Sequence, residues 1–401
     1  MGVFARALAE RKSDPLAIWA EMLRAGRASK AGPTVTLENA FKVAALYACI
    51  KVLSQGVAQV PFKLFREQKV DGLNKIEAAR EHNLYDLITS QPNEWTSSFE
   101  FRETLTIHAA LGNAYVFKNK VVGGRIAELI LLNPGRVKKK QAADYTVTYE
   151  VNGADGKTET LTADQVWHVR GPSWDSLIGV DVLHIAREAL GLSIALEESH
   201  AGLHKNGVHT TGVYSVDGVL NPEQHKKLVD WLKAQVASDP GAPMVLDRQA
   251  KWVSTTMSGV DAQHLETRKN QVVEVCRFVG VSPIMVYESD KATTYASAEQ
   301  MFLAHVIHTL APWYARIEQS ADINLLTKAE RAQGYYFKFM AAGLMRGAAK
   351  DRAEYYAKAL GSGGHPGWMQ PDEIRMLEEL NPMGGDAAKL PPGSAAQSAP
   401  A

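Results

Sequence analysis

His200 and His204, in the stretch HAGLH, lie one helical turn apart and come nearest in this chain to a metal-binding spacing. Two imidazoles at that separation share a helix face and can hold zinc, with a glutamate after the first histidine as general base. Ala201 occupies the glutamate position, so the pair lacks its base; Glu197, Glu198 and His209 are nearby side chains that could add ligands. A metal-dependent hydrolase using His200 and His204 stands as the alternative reading of the chain. His305 and His308, three apart among aromatic and aliphatic neighbours, read as satisfied interface histidines. The chain contains no G-x-x-x-x-G-K-[ST] phosphate loop and no G-x-S-x-G elbow, and Cys49 and Cys276 lie inside apolar helical patterns rather than in electropositive surroundings. No catalytic residue, metal or cofactor is assigned, and the chain reads as a non-enzyme.

A second polar cluster invites a different question. In VYESDKATTYASAEQ, from Val286 to Gln300, Ser, Asp, Lys and Thr residues gather with neither Gly nor Pro to set a tight turn. The segment joins a helix ending on FVGVSP to another helix rich in apolar residues. A loop of this kind takes its shape from what surrounds it.

The elements around these clusters follow from periodicity. Of 401 residues, 46% are apolar and 22% charged, as in ordinary globular proteins, and 44 basic side chains balance 44 acidic ones. Bulk charge therefore gives no reason to bind nucleic acid or membrane. Apolar runs such as VAALYACIKVL are broken by lysine well short of the ~20 residues a membrane span needs, which argues against a membrane-integral protein. Cys49 and Cys276 read as buried thiols of a reducing compartment.

Residues 1–34 read as a flexible basic arm, with Arg6, Arg11, Lys12, Arg24, Arg27 and Lys30. Helical spacing then runs from about Glu38 to Gly56. Between Pro61 and Arg170 the period shifts towards two: PFKLF, NAYVFKN, IAELILL, YTVTYEV and QVWHVR read as strands of a mainly antiparallel sheet, interrupted by helices around HNLYDLIT and FEFRETLTIHAAL. A long helix is expected from about Asp181 to Lys205 and a second from about Gly259 to Val279, stopped by Gly280. Between them TGVYSV, PMVLD and KWVSTT read as strands, and PEQHKKLVDWLKAQVA as a helix with Asn221 as cap and Pro222 in its first turn. After the polar loop comes a long helix in which Pro312 predicts a kink near His308 to Ala311. The strand YYFKF, helices around KDRAEYYAKAL and PDEIRMLEEL, and a low-complexity tail complete an α+β chain.

The order of these features is more specific than any one of them. A long helix, an αβ insert, a second long helix ending FVGVSP, a loop with ATTYASAEQ, a helix with LAPWYARIEQ, then MRGAAKDRAEYY, PDEIRMLEEL and NPMGGD resemble the portal proteins of tailed bacteriophages, of the HK97-like type. TLENAFKVAALYACIKVLSQGVAQVPFKLF, HNLYDLITSQPNEWTSSFEFRETL, GNAYV and LLNPGRV extend the resemblance towards the N-terminus, so that it covers about Val35 to Asp386.

The resemblance implies a portal fold and a homo-dodecameric ring at a unique capsid vertex of the virion, assembled in the host cytoplasm. Residues 35–180 would be a mixed α/β wing, 181–205 and 259–280 the stem helices, 206–258 the clip, 281–345 the tunnel loop, kinked helix and wing return strand, 346–385 a helical crown and 386–401 a disordered tail. Double-stranded DNA would pass through the channel for packaging and ejection without sequence preference. Terminase large subunit, major capsid and scaffold proteins and a head-completion or adaptor protein would be partners. In the tunnel loop Lys291, Thr293 and Thr294 are the candidates for transient backbone contacts with DNA, Lys291 being equally able to pair with an acidic group of the next subunit. Arg268 and Lys269 diverge by ~100° on their helix and are candidates for the channel or for pairing between subunits with Glu266, Glu274 or Asp261. Lys226, Lys227, Trp231 and Lys233 are the clip candidates for a partner interface, Trp231 as its anchor or as local core.

Overall fold

The computed structural model describes residues 27–70, 73–120, 124–153, 156–206, 212–215, 221–238, 251–254, 260–287, 295–341, 349–362, 366–378 and 380–390. The chain begins with strands β1 (Arg27–Ala28) and β2 (Thr34–Val35) and helices α1 (Leu37–Lys42) and α2 (Ala44–Ala58). Strands β3 (Phe62–Val70) and β4 (Leu73–Ala78), helices α3 (Asn83–Thr89) and α4 (Ser98–Ala110), and strands β5 (Asn113–Lys120) and β6 (Ile126–Leu132) follow. Next are β7 (Val137–Gln141), β8 (Val147–Asn152), β9 (Thr158–Thr162) and β10 (Val166–Arg170). Helices α5 (Val182–Ile185) and α6 (Arg187–Asn206) lead to β11 (Gly212–Ser215), α7 (Pro222–Ser238), β12 (Lys251–Ser254) and α8 (Val260–Val279). The chain continues through α9 (Tyr295–His305), a π-turn at Val306–Leu310, α10 (Ala311–Leu325), α11 (Lys328–Ala332), β13 (Tyr335–Phe339), α12 (Ala349–Ala359) and α13 (Pro371–Leu377). Two compact units result: residues 45–182 with those from 276 onward, and residues 23–44 with 183–275.

In the first unit every strand pair is antiparallel, as the alternating pattern predicts, but the strands form three separate three-stranded sheets. The sheet β10-β5-β6 is buried on both faces. On one face Tyr115, Phe117, Ile130, Leu132 and Val166 pack against Tyr149, Val151 and Leu161 of the sheet β7-β8-β9. On the other Trp167, fully buried, stands 6.4 Å from Phe101 of α4, and its Nε1–H donates to Ser320 Oγ on α10 at 2.9 Å. That double burial explains why NAYVFKNK is buried at five successive positions.

The third sheet, β13-β3-β4, brings YYFKF back from the C-terminal half to PFKLF, with Phe62 stacked on Phe337 and Phe339 at 5.5 and 4.4 Å. The outward N–H groups of Phe337 and Phe339 donate to the carboxylates of Asp322 and Glu318 on α10 at 2.8 and 2.7 Å. An edge strand is thereby satisfied by a helix rather than by another strand. Buried Arg102 on α4 donates to Ala58 O at the C-terminal end of α2, from Nε at 3.2 Å and Nη2 at 2.7 Å, and burial pushes it down to about 10. A guanidinium at a helix C-terminus meets carbonyls that have no partner within the helix.

Helix starts follow their capping chemistry. Thr36 with Asn39, Ser97 with Glu100 and Thr327 with Glu330 form reciprocal capping boxes at α1, α4 and α11. Asn221 and Gln224 do the same at α7, where Pro222 takes the first helical position.

Four expectations need correction. The helix expected over 38–56 is two helices, because Val43 leaves the helical region at φ −68°, ψ 105°. The helix expected over 181–205 is interrupted at Ala186, between α5 and α6. The arm expected through residue 34 is ordered from Arg27: β1 pairs with β2, Ser29 is buried, and the Lys30 N–H donates to Glu188 Oε2 at 2.8 Å. The end of that hairpin needs Gly191, where a Cβ would meet Ser29 Oγ at 2.2 Å. The tail expected from 386 begins with a 3₁₀ turn, Gly385–Ala388, reached from Gly384, whose N–H donates to the Asp372 carboxylate at 2.8 Å.

Among the described residues no helix is long and apolar enough to cross a membrane.

Candidate functional site

The polar loop of the sequence reading is bounded by two anchored flanks. On its N-terminal side α8 ends at Gly280, whose φ of +77° lets its N–H and that of Val281 both donate to Cys276 O at 2.8 and 3.1 Å. This is the left-handed helix stop that glycine tolerates and other residues resist. The Sγ of Cys276 lies 3.5 Å from the Sγ of Cys49 on α2, with both thiols buried. That hydrogen bond, followed by burial, pushes the Cys49 thiol far above its usual range and favours the protonated thiol over the thiolate. A 3₁₀ turn, Pro283–Val286, then delivers Tyr287 in a left-handed conformation (φ 64°) with its ring 99% exposed.

On the C-terminal side the same helix α2 fixes the exit. A Cβ on Gly56 would sit 2.8 Å from Leu310 Cδ2, and the Tyr314 hydroxyl donates to Gly56 O at 2.9 Å. The kink expected from Pro312 takes the form of a π-turn: the Ala311 N–H reaches back to Val306 O, while Pro312 sits at the start of α10. Widening the helix by one residue absorbs the missing proline N–H. Thr309 Oγ1 donates to Gly280 O at 2.9 Å and ties the exit directly to the entrance. Both ends of the loop are therefore held on one rigid helix. Lys291, Thr293 and Thr294 lie outside the described residues.

In the second unit α6 and α8 run against each other. Ser193 Oγ donates to Gln271 Oε1 at 3.0 Å, and Arg268 Nη2 stands 4.0 Å from Glu197 Oε1 with both side chains well exposed. Within the chain the carboxylate beside Arg268 is therefore Glu197 on α6. An exposed pair at this distance contributes little, ~0–1 kcal/mol. Lys269, one position on, is exposed. In the insert β11 pairs antiparallel with β12, and α7 carries Lys226 and Lys227 exposed and Trp231 at 43% exposure. The side chain of Lys233, the strand expected at PMVLD and His209 lie outside the described residues.

His200 is partly buried on α6, and the side chain of His204 lies outside the described residues. Among the described residues no three His, Cys, Asp or Glu side chains come together as metal ligands. His308 is exposed, but His305 is buried with Nδ1 lacking a hydrogen-bond partner, so the expectation of a satisfied interface histidine is corrected for it. Burial lowers its pKa.

The sequence model for the phage portal protein family matches residues 44–379. The chain belongs to that family. It is 26% identical over 357 residues to the portal protein of Enterobacteria phage HK97, an alignment covering 88% of this chain and 82% of that one. Among solved structures, the HK97-family phage portal protein of Corynebacterium diphtheriae superposes with a TM-score of 0.57 at 16% identity, over 78% of this chain and 98% of that one. The neck of a native gene transfer agent particle, computed with C12 symmetry, gives 0.58 at 22% identity, over 91% and 99%.

Membership gives the portal chain's unusual features a common frame. The family match, residues 44–379, takes in residues of both units and the polar loop. Tyr287 was not singled out by the sequence reading. Its only sequence signal is its place at the end of the short turn that Ser282-Pro283 opens, since αL geometry at a tyrosine has no signature of its own.

Proposed function

We propose that the chain assembles as a dodecameric ring at one capsid vertex, through which duplex DNA is packaged and ejected. Terminase and then head-completion proteins would dock on the αβ insert. The observation that carries this reading is the family match over 44–379. The neck particle with C12 symmetry, alike over 91% of this chain, supports the ring.

The loop 287–296 would line the channel, with Lys291, Thr293 and Thr294 meeting the DNA backbone in passing. Anchoring both flanks of that loop on α2 suits a wall that must stay in place while DNA moves past it. Lys226, Lys227, Lys233 and the half-exposed Trp231 would offer the docking partner a cationic rim around an aromatic anchor. Location in the virion, after assembly in the host cytoplasm, would follow from the same reading.

Light scattering on purified protein should give a mass near twelve times 43.8 kDa. A monomer or dimer under assembly conditions would refute the ring. With the ring in hand, Lys291→Ala should leave its mass unchanged and alter DNA packaging or retention in reconstituted particles. Normal packaging and retention would remove that lysine from the mechanism.

A further inference from the structure

The segment between β10 and α5 is held far more tightly than a connector needs. Its neck is closed by the Gly171 N–H donating to Gly112 O at 2.7 Å and the Val180 N–H donating to Pro172 O at 2.8 Å. Within it the Asp175 carboxylate accepts from the N–H groups of Leu177 and Ile178 at 2.8 and 3.1 Å. Asn113, at the start of β5, grips Gly179 on both sides: its Oδ1 accepts from Gly179 N at 2.7 Å and its Nδ2 donates to Gly179 O at 3.1 Å. Asn113 is positioned in turn by His168 Nε2 at 2.9 Å. Arg170 donates to Ser176 O and Lys139 to Leu177 O. No side chain fits at the two glycines: a Cβ would stand 1.9 Å from Gly112 O at position 179 and 2.6 Å from Ala109 O at position 171.

This frame holds Trp174 out in solvent at 97% exposure, beside Ile178 at 46%. Single exposed apolar side chains are ordinary on a protein surface. A tryptophan on a pre-ordered loop is a different arrangement. Indoles dominate binding hot spots, and a loop already fixed loses little further entropy on docking.

We propose that Trp174 is an anchor that buries itself in the neighbouring copy of this chain. The inference rests on the ring reading above. A closed ring requires each subunit to offer two different, complementary patches, one of which must receive what the other presents. The chemistry of the loop favours a permanent partner over a transient one. The Asp175 carboxylate is engaged by the loop's own N–H groups, which hold it below its usual range, and Arg170 and Lys139 of the flanking strands donate to loop carbonyls. The largest side chains left exposed on the loop are Trp174 and Ile178, apolar as in obligate contacts between copies, whereas transient partners meet more polar surfaces.

Benzoylphenylalanine placed at position 174 of the full-length protein tests this directly. Irradiating the assembled ring should link subunits in pairs, with the adduct mapped to a second chain. A ring that yields no linked pairs overturns the proposal. If the unmodified protein forms no ring at all, the ring reading has failed, and the two failures are distinguishable by mass before irradiation. Trp174→Ser should raise the concentration for half-assembly roughly thirty-fold, the scale of a hot-spot truncation. Its monomer should unfold at the wild-type temperature, because the ring touches solvent rather than core. Wild-type assembly by this variant also overturns the proposal. Asp175→Ala, which keeps the indole but frees the loop, should weaken assembly to a lesser degree.

Discussion

His168 shows what a buried polar residue does in this chain. Its ring stacks on Tyr115 at 4.4 Å, its Nε2 meets Asn113 Oδ1 and its Nδ1 lies 3.4 Å from the Tyr149 hydroxyl. Burial, reinforced by Lys139 and Arg170, pushes it down to about 3 from an ordinary 6.5. The folded state therefore refuses a proton that the unfolded chain accepts once pH falls below 6.5. Stability is complete above that value and declines as pH falls towards 3, by up to about 1.4 kcal/mol per pH unit for each such histidine. His305, lowered by burial and without a partner for Nδ1, acts in the same direction. Urea midpoints measured from pH 7.5 to 4.5 should fall steadily, and His168→Gln, which keeps a side-chain N–H for Asn113, should flatten part of that slope. A midpoint independent of pH over this range would contradict the burial argument.

At the scale of elements, α10 is the member on which most of the first unit converges. Its Ser320 meets Trp167, its Arg316 donates to the carbonyls of Arg170 and Gly171, and its Asp322 and Glu318 cap the free edge of β13. Asp322→Ala would leave the buried-edge N–H of Phe337 unpaired, and the expected loss is about 1–3 kcal/mol in chemical denaturation. An unchanged midpoint would mean that water replaces the carboxylate. These relations explain what could be read in advance. Strand and helix identities were legible because period and capping are local: Asn221-Pro222 starts α7 and Gly280 stops α8, as their residue types dictate. The division of the strands into three sheets was not legible, because Phe62 chooses Phe337 and Phe339 across more than half the chain. Nor was the break at Val43, a residue whose type gives no warning of extended geometry. Of the candidate site, the helix stop before the loop could be placed from Gly280 and the kink after it from Pro312. Their common attachment to α2 could not, since a Cys49–Cys276 contact and a glycine against Leu310 leave no periodic trace.

For the whole molecule the deciding quantity is charge. A ring that grips duplex DNA by its phosphates would brake the translocation it exists to permit, and every subunit repeats each grip. Neutralising Z phosphates makes log affinity fall with log salt at a slope of about −0.9Z, so a dedicated DNA-binding ring would show a steep dependence. This chain has 44 basic and 44 acidic side chains, and of the candidate channel and clip cations Lys226, Lys227 and Lys269 are exposed lysines while Arg268 stands beside the Glu197 carboxylate. The expected behaviour of the assembled protein is weak, sequence-blind binding to linear duplex, with a salt slope corresponding to roughly two phosphates or fewer per DNA bound. Fluorescence anisotropy between 50 and 200 mM salt measures it, at about the range over which a strong phosphate binder loses several decades of affinity. A slope several times steeper would mean that the local charge around the channel outweighs the neutral total, and that passage of DNA must then be driven against a real electrostatic hold.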